Sequence, residues 1–146
     1  MMSDELFNLI YNKSLDLLSR REHSRKELKE KLLLRFQSDG LIRTVLDRLE
    51  SNNLINELRF AEAYTRSRKR KGFGPKKIFY ELSAKGVKES VSNQVILDEG
   101  NWDKVAKLAF TKKFKNGPSE EIKQKLKQKN FLQNRGFGFK EIESVF

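Results

Sequence analysis

Cysteine is absent from the 146-residue chain. That excludes a disulfide framework, a thiol nucleophile and any thiolate-held zinc or iron–sulfur centre. Histidine occurs once, at His23. A Ser-His-Asp arrangement therefore has one candidate base, and no serine carries a nucleophile signature around it. His23 reads as a turn residue beside the helix cap at Ser24. There is no G-x-x-x-x-G-K-[ST] sequence to cradle phosphates, and metal sites built from several His or Cys are excluded by number. The opening residues MMSDELFNLIYNK lack the basic start and apolar run of a secretory signal. No apolar stretch approaches the ~20 residues of a membrane span. The expectation is a cytoplasmic protein with no membrane partner, no cofactor, no metal and no catalytic residue.

Acid is also in short supply: 20 Asp and Glu stand against 31 Lys and Arg, a formal charge of +11. A polyanion, or a protein assembly that carries one, becomes the leading partner class. The excess is uneven, with net +1 in residues 1–50, +4 in 51–100 and +6 in 101–146. Its densest stretch is TRSRKRKGFGPKKIFYEL, where Arg66, Arg68, Lys69, Arg70, Lys71, Lys76 and Lys77 put seven cations into twelve residues with no acid among them. These seven are the candidate contacts to a partner or a nucleic acid. Gly72, Gly74 and Pro75 form a corner between them. Glycine permits the turn, and proline suits the first turn of a helix because its missing N–H costs nothing there. A helix starting at Pro75 would offer free N–H groups beside Lys76 and Lys77, a seat for a phosphate or an acidic side chain.

Hydrophobic spacing is helical throughout. Leu6, Phe7, Ile10, Tyr11, Leu15 and Leu18 recur at three- and four-residue steps from Asp4 to Arg21. Ser24 with Glu27 has the capping-box spacing and opens a second helix through Leu28, Leu32 and Phe36. A third follows the Ser38-Asp39-Gly40 break and ends at Asn52-Asn53, where asparagine substitutes for glycine in a left-handed cap. Leu58 to Lys71, Pro75 to Lys85, Lys88 to Asp98, Trp102 to Phe114, Ser119 to Arg135 and Phe139 to Phe146 read as six more.

Shifting the sequence by fifty superposes Leu32, Leu82 and Leu132, then Arg35, Lys85 and Arg135, then Val45, Val95 and Val145. Gln128 breaks the pattern opposite Leu28 and Ile78, as does Ser92 opposite Ile42 and Ile142. The chain is expected to be all-α: three tandem three-helix, helix-turn-helix-like repeats at 1–55, 56–99 and 100–146, stacked into an elongated, curved molecule. Gly136-Phe137-Gly138 resembles the Gly72-Phe73-Gly74 corner but falls elsewhere in the unit.

Two ambiguous signals are left. Phe73, Phe79, Tyr80, Phe131, Phe137 and Phe139 alternate with cations, as in a base-stacking platform. Thin helical layers also need bulky residues, so core packing is the reading for all but Phe73, at the corner. Asp47 with Glu50, or Glu141 with Glu143, are the carboxylate pairs closest to a magnesium site, on helices that need polar outer faces anyway.

The segments LLSRREHSRKELKEKLLLR, LINELRFAEAYTRSRKRKGFGPKKIFYEL and KNFLQNRGF, in that order and spacing, resemble the RecX family of bacterial recombination regulators. The middle segment is the most specific. The resemblance covers almost the whole chain and implies three tandem three-helix repeats. It also implies a non-enzymatic modulator in homologous recombination, DNA repair and the SOS response; the chain is expected to be a monomer. Such a modulator binds the RecA recombinase, chiefly its filament on single-stranded DNA, lying in the helical groove and limiting filament growth or promoting disassembly. Carried over by position, the family's basic motif falls on Arg66, Arg68, Arg70, Lys71, Gly72, Gly74, Pro75, Lys76 and Lys77. Phe36 and Asn53 depart from the family, which usually has glycine there. Two other readings stand beside it: a direct DNA-binding helical module acting through phosphate contacts, and an adaptor whose charge only aids solubility.

Overall fold

The computed structural model describes residues 2–146, and every regular element among them is helical. The helices are α1 (Met2–Arg20), α2 (Arg25–Leu33), α3 (Asp39–Ser51), α4 (Glu57–Arg70), α5 (Pro75–Ala84), α6 (Glu89–Glu99), α7 (Trp102–Lys113), α8 (Ile122–Asn134) and α9 (Phe139–Val145). They fall into two compact units. One runs up to Ala63 and takes in Lys85–Val87; the other comprises Tyr64–Ala84 and Lys88–Phe146.

The fifty-residue period reappears in the caps. The N-caps of α3, α6 and α9 are Ser38, Lys88 and Gly138, each in extended backbone. The two polar residues that break the period are nevertheless buried, as their apolar counterparts are. Gln128 is satisfied locally: its Oε1 accepts from Ser119 N–H at 2.9 Å and its amide nitrogen donates to the Gly117 carbonyl at 3.1 Å, tying the loop before α8 to the helix. The Ser92 hydroxyl has no hydrogen-bond partner. Asn53 adopts a left-handed φ of 59°, as expected of its cap position.

In the first unit, Ile10, Leu28, Leu32, Ile42, Val45, Leu46, Leu49 and Ile55 form the core, with Phe36 packed at its edge. The Ser24 capping box forms: its hydroxyl accepts from Glu27 N–H and its own N–H reaches the Glu27 carboxylate, both at 3.1 Å. Burial raises the Glu27 pKa, but hydrogen bonds from Arg21, Lys85 and the Ser24 backbone overcome it and hold the group at about 2. His23 is more than a turn residue, for it is only 1% exposed. Its Nδ1 faces the Arg21 carbonyl at 3.1 Å and its Nε2 faces Lys31 Nζ at 2.8 Å. That pairing assigns the proton to Nδ1, and burial pushes the imidazole pKa down.

In the second unit, Val105, Ala106, Phe110, Leu132, Phe137 and Ile142 form one core cluster, and Ile78, Leu82 and Val95 are buried as well. Phe110 sits 5.0 Å from Phe114 and 5.4 Å from Phe146, and Phe114 meets Phe131 edge-on at 5.4 Å. The two Gly-Phe-Gly corners, sixty-four residues apart, face each other. Gly74 N–H donates to the Arg135 carbonyl at 2.8 Å, and Lys76 N–H to the Gly136 carbonyl at 3.0 Å. Each corner closes one helix and opens the next. The approach has no room for side chains: a Cβ on Gly74 would lie 2.5 Å from the Gly136 carbonyl carbon. Gly136 combines the same crowding, against Lys77, with a φ of +99° that side chains resist.

Gly74→Ala is expected to destabilise the protein by about 2–4 kcal/mol in denaturant melts, since backbone must move to admit the methyl group. At Gly40, in the first turn of α3, an added methyl group would meet nothing within 4 Å. Gly40→Ala should therefore stabilise by about 0.4–1 kcal/mol.

Candidate partner-binding surface

The basic run spans the end of α4, the corner and the start of α5, all in the second unit. Its cations do not act as one group. Arg68 folds back on Glu81 of α5, with Nε and a terminal nitrogen 2.9 and 2.8 Å from the two carboxylate oxygens. Tyr64 donates to the same carboxylate at 2.9 Å. The Arg68 guanidinium also lies 3.8 Å from the centre of the Phe73 ring. Lys69 donates to the Glu99 carbonyl at 3.0 Å, lies 3.5 Å from the Glu99 carboxylate and stands over the Trp102 ring at 5.2 Å. Arg66 reaches the Glu99 carboxylate at 3.5 Å.

The acid-free run 66–77 is thus partly neutralised by Glu81, further along α5, and by Glu99 at the end of α6. Lys77 lies 5.1 Å from the Phe73 ring centre. Arg70, Lys71 and Lys76 are exposed, and no carboxylate of the described residues pairs with them.

Phe73 is half-buried rather than offered to a ligand. Arg68 and Arg135, the latter at 4.6 Å, and Lys77 cover its ring. Of the other aromatics, Tyr80 and Phe139 are exposed, whereas Phe137 is buried. The helix start at Pro75 presents fewer free N–H groups than expected. Pro75 has none, the Lys76 N–H is spent on the Gly136 carbonyl, and the Lys77 nitrogen lies against Gly136. The expected phosphate seat is occupied by the backbone of the facing corner.

Sequence reasoning missed a second set of cations. A cleft of about 480 Å³ is lined by Lys69, Arg70 and Lys71 on one side and by α7 and α8 on the other, with Lys112, Lys113 and Arg135 adding to its charge. Arg135 donates to the Lys71 carbonyl at 3.2 Å and stacks 5.2 Å from Phe131. The Lys112-Lys113 pair is visible in the sequence as the basic last turn of α7, but only the fold brings it to the end of α4. The carboxylate pairs considered for a metal serve the fold instead. Asp47 and Glu50 both hold Arg25, at 2.8 and 3.3 Å, Glu143 takes Lys129 at 2.9 Å, and Glu141 accepts from Gly138 N–H at 3.3 Å.

An all-α protein of repeated three-helix elements, with a basic surface around a glycine-locked corner, is the class these features define. Models of the first and second three-helix domains of RecX match residues 11–49 and 56–96. The regulatory protein RecX of Halorhodospira halophila is 38% identical over 133 residues, covering 90% of this chain and 83% of that one. The regulatory protein RecX of Vibrio parahaemolyticus is 37% identical over 130 residues, covering 88% and 84%.

The chain belongs to the RecX family of regulatory proteins. The fold agrees: the crystal structure of RecX from Lactobacillus salivarius superposes with a TM-score of 0.75 at 24% identity, covering 95% of this chain and 93% of that one. A crystal structure of another regulatory protein RecX gives 0.80 at 21% identity, covering 99% and 73%. No helix among the described residues is long and apolar enough to cross a membrane.

The pairing of Arg68 separates its role from that of Arg70. Arg68→Ala leaves the Glu81 carboxylate without its forked partner and should cost about 1–3 kcal/mol in a chemical melt. Arg70→Ala should stay within about 0.5 kcal/mol of the parent. Equal effects would contradict the assignment.

Proposed function

We propose that the chain is a non-enzymatic cytoplasmic regulator that acts as a monomer on the RecA recombinase. It binds the recombinase filament on single-stranded DNA and limits filament growth or promotes disassembly, restraining recombinase activities. The building blocks are the three repeat segments 1–55, 56–99 and 100–146. Family membership supports the regulatory role. The observation that carries the choice of surface is the unpaired set Arg70, Lys71 and Lys76, displayed around a corner whose backbone is fixed. Fixed cations of this kind meet an acidic protein surface or a phosphate chain with little ordering cost.

Direct reading of bases by α5 has little to work with. Glu81 is held by Arg68 and Tyr64, and Lys77 lies against Phe73. Contact of α5 with DNA is then a weak phosphate contact with a steep salt dependence.

Co-sedimentation with RecA filaments on single-stranded DNA, beside filament alone and DNA alone, tests the proposal. The parent protein should pellet with the filament and inhibit its ATP hydrolysis. The triple variant Arg70→Glu, Lys71→Glu, Lys76→Glu should lose at least about tenfold in affinity with its helical circular dichroism intact. Undiminished binding would reject the surface, and absence of binding by the parent would reject the partner.

A further inference from the structure

The first unit holds a polar arrangement that the preceding reading does not use, and none of its residues belongs to the basic run. His23 lies in the turn between α1 and α2, buried to 1% exposure. Its Nδ1–H is fixed on the Arg21 carbonyl at 3.1 Å, which leaves the Nε2 lone pair facing Lys31 Nζ at 2.8 Å. Lys31 sits in the last turn of α2 and is exposed. An amine open to solvent is thus paired with a buried, oriented base. Other lysines of this chain take a carboxylate, as Lys85 takes Glu27 at 3.0 Å and Lys129 takes Glu143 at 2.9 Å. Glu27, one turn before Lys31 on α2, is already held by Arg21, Lys85 and the Ser24 N–H. Loss of solvent around the Lys31 amine, and then the charges of Arg21, Lys85 and Arg20, push its pKa down, with Glu27 opposing them. Burial pushes the His23 imidazole down as well, so it is neutral near pH 7 and keeps its lone pair.

We propose that Lys31 is an acylation site for small activated acyl donors of the acyl phosphate class, with its amine as nucleophile and His23 as base. An amine beside a base that a third group orients is the pattern that separates a nucleophilic lysine from an ordinary surface one. The Lys31 ammonium first yields one proton to water. Its nitrogen then attacks the acyl carbon, the bond from that carbon to the bridging oxygen breaks, and the phosphate leaves with the electron pair. His23 Nε2 takes a second amine proton and passes it to the departing phosphate. One amide N–H remains on Lys31, and nothing is oxidised or reduced. The modification removes a positive charge that Arg20, Arg21 and Lys85 already repel. The remaining N–H still has the His23 nitrogen as its acceptor, so the first unit keeps its fold.

The test incubates the full chain with acetyl phosphate and follows acetylation of each lysine by mass spectrometry of its peptides. Lys31 should be acetylated about fivefold or more faster than Lys112 and Lys140, which are exposed and far in sequence from the chain's one imidazole. As pH rises, the Lys31 rate should reach its plateau before those of the two comparison lysines, because its amine loses its proton earlier. His23→Gln keeps an acceptor for the Lys31 amine but no base, and should slow Lys31 about threefold or more. Equal rates for the three lysines in the parent would overturn the proposal. So would coincident pH profiles, or an undiminished Lys31 rate in His23→Gln with unchanged helical circular dichroism. If that variant does not fold, the parent's rates and pH profile decide between the outcomes.

Discussion

Two backbone hydrogen bonds, from Gly74 to the Arg135 carbonyl and from Lys76 to the Gly136 carbonyl, are the constraint on which the second unit depends. They join the corner between α4 and α5 to the corner between α8 and α9 at a distance that only glycine permits. Everything charged nearby takes its position from that contact. Arg135 caps α8, accepts the Gly74 N–H through its carbonyl and sends its guanidinium between Phe73 and Phe131. The end of α4 is thereby held beside α7, where Gly72 would bring a Cβ 3.4 Å from Ala109.

Electrostatics then divides the cations into two groups by what the fold brings within reach. Arg68 and Lys69 spend their charge inside the molecule, on Glu81 and Glu99, and each also covers an aromatic ring. Such half-buried pairs rigidify the corner, because removing either partner leaves a charge with reduced solvation and no counter-charge. Arg70, Lys71 and Lys76 keep theirs for solvent or a ligand. Their mutual repulsion is a cost the fold tolerates, which is the pattern expected of a surface kept for binding.

Much of the fold could be read from the sequence because its signals are local. The expected Pro75 to Lys85 helix is observed as Pro75–Ala84, and Trp102 to Phe114 as Trp102–Lys113. The Ser24 capping box and the left-handed Asn53 follow from residue chemistry within four positions. The helix expected from Ser119 begins only at Ile122, because Ser119 and Gly117 are bound to the Gln128 side chain instead.

What the sequence concealed was long-range. Nothing local to Gly74 or Gly136 announces that they pack together, and the fifty-residue shift pairs Gly136 with Gly86 instead. The seven cations of the basic run look equivalent in sequence, since the acids that neutralise three of them lie on α5 and at the end of α6. The Lys112-Lys113 pair carried no signal beyond an ordinary amphipathic helix until the fold placed it opposite Arg70.

The central claim is that the two corners are locked through backbone, and amide hydrogen exchange reads it most directly. The Gly74 and Lys76 amides lie at an exposed-looking basic turn, yet they are predicted to be protected to the same degree as the Leu132 amide in the core of α8. Exchange of either at the rate of an open loop amide, while Leu132 stays protected, would contradict the account.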